Sequence, residues 1–133
     1  GRLAESAAKA GADALTLVNT LFGMSIDTEK RRPRLGSITG GYSGPPIKPV
    51  ALANVYMAAQ VVDIPIWASG GIVSGKDAID FLLAGATTLQ LGTVLFVDPH
   101  APVRILTEMT DYCNRHSIMS IVDLIGALDT GIR

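Results

Sequence analysis

The chain has a single cysteine, Cys113, among 133 residues. That excludes an internal disulfide framework and a metal site of the Cys-x-x-Cys kind. His100 and His116 are the two histidines, and neither has a Cys, Asp or Glu at the spacing of a metal-ligand set. No Ser-His-Asp arrangement and no paired acid/base carboxylates stand out. There is no apolar run of about 18 residues and no signal-peptide pattern, so the expectation is a cytoplasmic protein with no membrane contact. Neither sign of charge dominates. Lys+Arg 11 against Asp+Glu 12 leaves a net charge of −1, and this balance implies no nucleic-acid face. Charged residues are scarce, at 17% beside 48% hydrophobic, which points to a packed core and not to disorder. Length is the last constraint. The chain makes one domain at most, whereas a complete (β/α)8 barrel takes about 250 residues.

What is present is an alternation of strand-like and helix-like runs. Leu3, Ala4, Ala7 and Ala8 share one helical stripe, stopped by Gly11. Ala14-Leu15-Thr16-Leu17-Val18 is nearly continuous in apolar character, as in a parallel strand buried on both faces. Residues 20–48 are rich in glycine and proline and carry Glu29-Lys30-Arg31-Arg32. This long stretch reads as a lid or binding loop, with the charges solvated. A helix is expected from near Pro49, with Leu52, Val55, Ala59 and Val62 inward. Strand 64–68 follows. Ser74 and Asp77 make a capping-box-like start for a helix with Ile79, Leu82 and Leu83 as its apolar stripe, closed by Gly85. After strand 87–91, Pro102 opens a helix with Val103, Leu106 and Thr110 expected inward. Ser120 and Asp123 cap a short one carrying Ile121, Leu124, Ile125 and Leu128. Met24, Met57 and Cys113 read as packing residues. Alternating βα units argue for a parallel sheet with helices outside it.

Three places could carry chemistry. Asn19 ends the first strand, where barrel active sites are built, and its amide offers donors and an acceptor together; it could equally cap its own turn. The glycine-rich stretch 40–49 permits close backbone approach. The helix after it could offer N–H groups to an anion, and Lys48 could add charge. The third place is a pair of turns, Ser69-Gly70-Gly71 and Leu91-Gly92-Thr93, each at the junction of a strand and a helix. Two such turns side by side make a phosphate cradle, which barrels build after their seventh and eighth strands. Structural glycines remain the alternative for each turn singly.

The stretches Gly11 to Thr20, Thr39 to Pro49, Ser69-Gly70-Gly71-Ile72 and Leu91-Gly92-Thr93 together closely resemble dihydroorotate dehydrogenase. The resemblance runs from about residue 3 to residue 126. Gly23-Met24, Arg32-Pro33 and the Ser43-Gly44-Pro45 turn resemble the class 1B branch of that family. The resemblance implies a partial FMN-binding domain over residues 1–133. Its fold is α/β, the C-terminal half of a (β/α)8 TIM barrel, with about strands six to eight and their helices. It implies oxidation of dihydroorotate to orotate in pyrimidine synthesis, a homodimer, and an electron-transfer partner subunit carrying FAD and an iron–sulfur cluster. Position by position, it implies that Asn19 and Thr20 hold the pyrimidine and that Val18 lies against the flavin. Ser43 and Gly44 match a backbone contact to FMN. Gly70-Gly71 and Gly92-Thr93 match the grip on its phosphate. The family's catalytic base and its flavin-side lysine have no counterpart here, so no catalytic residue is expected in this half and the chain alone is expected to be inactive. A phosphate-binding barrel portion without flavin and an inert half-barrel stay open as alternatives.

Overall fold

The computed structural model describes residues 1–131. Three short strands form a parallel sheet in the order β1-β6-β7: β1 (Leu15–Leu17), β6 (Ile66–Ser69) and β7 (Thr88–Gln90). Helix α2 (Lys48–Ala59) precedes β6, and α3 (Gly75–Leu83) joins β6 to β7. After β7 come a one-turn helix, α4 (Val94–Val97), and the long α5 (Ala101–Arg115). Helix α1 (Arg2–Lys9) leads into β1. Among the described residues no helix is long and apolar enough to cross a membrane.

The ends of these helices follow from local chemistry. Ser74 is extended, and its hydroxyl accepts the Asp77 N–H at 3.2 Å, satisfying one of the free donors at the start of α3. Gly85, at φ +110°, ends α3: its N–H bonds the Leu82 carbonyl and the Ala86 N–H bonds that of Phe81, both at 2.9 Å. Gly11 closes α1 in the same way, through Ala8 and Ala7.

The core lies between the sheet and its helices. Ile66 and Ala68 of β6 pack against Ala51, Val55 and Ala58 of α2, with Ala78 and Phe81 of α3 and Ile105 of α5 in the same cluster. Much of this interface is alanine, which lets helix and strand backbones approach closely. A Cβ on Gly85 would stand 2.5 Å from the Ala59 Cβ, so α2 and α3 also meet closely at that point. A second cluster joins Ile79 and Leu82 to Leu124, with Cys113 partly buried beside them.

Several expectations change. Only one face of the sheet is covered. Thr16, Trp67 and Thr88 stand in register across the other face and are exposed, Trp67 by 42%. Segment 20–48 is not an irregular loop. Strands β2 (Leu21–Met24) and β5 (Thr39–Tyr42) pair antiparallel, and so do β3 (Ile26–Asp27) and β4 (Arg32–Pro33). On α2, Ala51 and Ala58 join Val55 in the core, while Leu52, Ala59 and Val62 pack against it as expected, Val62 from beyond the helix end. On α5 the expected face is wrong. Val103 and Leu106 are exposed by 68% and 63%, while Ala101 and Ile105 are buried. The buried face carries Ala101, Ile105 and Met109 into the core, and Arg104 bonds the Val73 carbonyl at its edge. Met24 and Met57 are exposed, not packed. The last short element is a 3-10 turn over Ile121–Leu124, in which Leu124 alone is buried.

Candidate functional site

The C-terminal ends of all three parallel strands open onto one cavity of about 370 Å³. Val18, Asn19 and Thr20 follow β1, Gly70 and Gly71 follow β6, and Gly92 and Thr93 follow β7. Ser43 and Gly44 come from the turn before α2. The structure brings all of these residues together as the cavity's lining. They derive from four segments far apart in sequence, and the parallel βα arrangement is what gathers them at one end of the sheet.

The walls are fixed by contacts that only glycine permits. Gly71 has φ +79°, and a Cβ on it would stand 2.8 Å from the Gly44 carbonyl oxygen and 3.1 Å from the Lys48 nitrogen. The turn after β6 therefore rests backbone to backbone on the turn before α2. Gly44 itself sits at φ +87°. Gly92 is different, because a Cβ there would meet nothing within 4 Å. Across the cavity the Thr93 hydroxyl donates to the Ser43 hydroxyl at 3.0 Å, tying the turn after β7 to the same region.

Asn19 lines the cavity and also caps its own turn, its side-chain oxygen accepting the Thr20 N–H at 2.7 Å. Thr20 packs under the β2–β5 ribbon, where a Cβ on Gly41 would stand 2.5 Å from its hydroxyl. Gln90 was missed by the sequence reading. It pairs in register with Ser69 and lines the cavity, and the signal was a lone amide inside an otherwise apolar strand. Phe96 of α4 lines it too.

Among the described residues no side chain lining the cavity is charged. Lys48 does not supply the charge expected of it. Its ammonium donates to Asp77 and, at 2.7 Å, to Asp80. Its backbone N–H bonds Pro45, and Pro49 has none to offer. An anion here would be held by backbone groups and hydroxyls, a mode that needs no cation.

Neither histidine lines the cavity. His116 stacks on Tyr112 with ring centroids 4.3 Å apart. The His100 N–H bonds Asp98 ahead of α5. Among the described residues no group of three or more His, Cys, Asp or Glu side chains could hold a metal ion.

Comparison with known proteins agrees with this geometry. Residues 2–112 match the family model described as dihydroorotate dehydrogenase. The catalytic subunit of dihydroorotate dehydrogenase B (NAD(+)) from Citrifermentans bemidjiense is 54% identical over 127 residues, covering 96% of this chain and 42% of that protein. The same-named subunit of Parabacteroides distasonis is 50% identical over the same shares. In structure, the chain is similar to the dihydroorotate dehydrogenase of Eimeria tenella solved with ferulenol. The TM-score is 0.78 at 30% identity, over 94% of this chain and 33% of that one. The chain thus spans about two fifths of the length of the curated relatives it matches, and its parallel sheet with helices is part of a TIM barrel. It belongs to the dihydroorotate dehydrogenase family.

Proposed function

We propose that this chain supplies the phosphate-holding wall and part of the substrate wall of an FMN-dependent dihydroorotate dehydrogenase catalytic subunit. The observation that carries the reading is the convergence of Val18, Asn19, Thr20, Ser43, Gly44, Gly70, Gly71, Gly92 and Thr93 on one cavity at the strand ends. The residues fit the cofactor. Gly44, Gly70, Gly71 and Gly92 put bare backbone on the cavity wall, and beside Gly92 there is open space that a Cβ would not close. In this reading Gly70-Gly71 and Gly92-Thr93 hold the FMN phosphate and Ser43-Gly44 contacts FMN through its backbone. Val18 lies against the flavin, and Asn19 with Thr20 orients the pyrimidine.

When bound, FMN would supply the redox chemistry that takes dihydroorotate to orotate in pyrimidine synthesis. What this chain contributes is orientation and exclusion of water. The family's general base has no counterpart in this chain, which by itself is expected to show no turnover. The relatives' names support an electron-transfer partner that passes electrons to NAD. That partner would carry FAD and an iron–sulfur cluster, and the catalytic subunit would be a homodimer. Purifying the complete catalytic subunit and identifying its released flavin tests the reading. FMN is the expected result, and a subunit with no flavin at all contradicts it.

A further inference from the structure

We propose that Lys48 is a positioning residue: by joining Asp77 and Asp80 it locks the turn before α2 onto the turn after β6 and so sets where the Gly70-Gly71 wall, which would hold the phosphate, stands. The proposal rests on the phosphate-holding role given to Gly70-Gly71 above.

Three observations carry it. First, Lys48 stands at the point of contact. A Cβ on Gly71 would meet the Lys48 Cβ at 2.9 Å and its backbone nitrogen at 3.1 Å, beside the Gly44 oxygen at 2.8 Å. Second, its partner holds the opposite turn directly. One Asp77 carboxylate accepts from Lys48, from the Val73 N–H at 3.0 Å and from the Ser74 hydroxyl at 2.8 Å. The Val73 carbonyl is taken in turn by Arg104 at 3.1 Å, and the Gly75 N–H by Glu108. The segment after Gly71 is therefore gripped on both sides of Val73, and Lys48 joins that grip to α2. Third, the ammonium does not line the cavity, and its charge is met locally. Lys48 and Lys76 face Asp77 and Asp80, with Lys76 3.2 Å from Asp80. The charges of these four groups sum to zero, and the role given to Lys48 is geometric.

The pair stays ionised around neutrality. Burial alone would lower the Lys48 pKa, but the Asp77 and Asp80 carboxylates outweigh it and hold it above its ordinary value. Burial alone would raise Asp77, but bonds from Lys48, Ser74 and Val73 hold it below its ordinary value. A half-buried ion pair is weak evidence for stability as such.

The test compares FMN with riboflavin, which lacks the phosphate, by flavin titration of the flavin-free catalytic subunit. Lys48→Met and Asp77→Asn should each weaken FMN by about tenfold to a hundredfold, from one lost charge-assisted bond. Riboflavin affinity should stay the same. The double variant should lose less than the sum of the two single ones, because both changes break the Lys48–Asp77 bond. If Lys48→Met fails to melt cooperatively, Asp80→Asn removes one arm alone and should shift the FMN-to-riboflavin ratio in the same direction. Equal weakening of both ligands, or an unchanged ratio in folded variants, overturns the positioning role. A wild-type subunit that binds FMN no better than riboflavin instead overturns the phosphate cradle on which the proposal rests.

Discussion

Gly71 lies against Gly44 so closely that a Cβ on it would stand 2.8 Å from the Gly44 carbonyl oxygen. Neither group can move without separating two turns. Gly71 also sits at φ +79°, where an L side chain is strained. Gly71→Ala should therefore destabilise the fold by about 1–3 kcal/mol. Denaturant unfolding checks this, and a stability equal to the unsubstituted chain contradicts the close contact.

Asn19 serves its own turn and the cavity at once. Asn19→Ala should leave flavin bound but slow its reduction by dihydroorotate, at a cost of about 1–3 kcal/mol for an unmade bond to the buried substrate. Stopped-flow measurement of flavin reduction reads this directly. Unchanged kinetics remove Asn19 from the substrate site.

The Lys48–Asp77 pair gives a pH signature. Asp77 is held below its ordinary value of 3.8 in the fold, so its contribution is fully present above that pH and is lost as pH falls through the folded value. Lys48 is held above 10.5, so its contribution is fully present below that pH and is lost as pH rises through the folded value. Between these limits the stability difference between the native sequence and Asp77→Asn should be flat. It should shrink only in acid below about 3.8, or in strong alkali. Urea unfolding at a series of pH values measures it, and a difference that varies between pH 5 and 8 contradicts the assignment.

The sheet leaves β1 and β7 as open edges, and Thr16, Trp67 and Thr88 lie uncovered on one face. Phe22, exposed by 95%, and Phe96, by 91%, add apolar surface near the strand ends. Unpaired edges and apolar patches drive association. The 133-residue chain by itself should self-associate at micromolar concentration in sedimentation equilibrium. A monodisperse, cooperatively melting monomer contradicts this.

Local signals were legible in the sequence. The Ser74–Asp77 cap and the Gly85 stop depend on residues within a turn of one another, and both are present. The glycine turns were legible because strand-to-helix junctions recur with the βα alternation. What was not legible depends on distant partners. The strand character of Leu21–Met24 and Thr39–Tyr42 arises only when the two pair, and three glycines in those strands hide it. The buried face of α5 depends on where Ala101, Ile105 and Met109 meet the distant α2, β6 and α3 core. The role of Lys48 depends on carboxylates 29 and 32 residues away, so near Gly40-Gly41 it read as a ligand for an anion.

Gly92 separates ligand from fold, because a Cβ there meets nothing within 4 Å. Gly92→Asp should fold as the unsubstituted chain does, yet place a carboxylate where the phosphate would sit. The most direct test of the cavity's role is the flavin content of the complete catalytic subunit carrying Gly92→Asp. A folded subunit purified without FMN is the predicted result. A folded subunit that keeps its full complement of FMN would contradict the assignment of this cavity to the flavin phosphate.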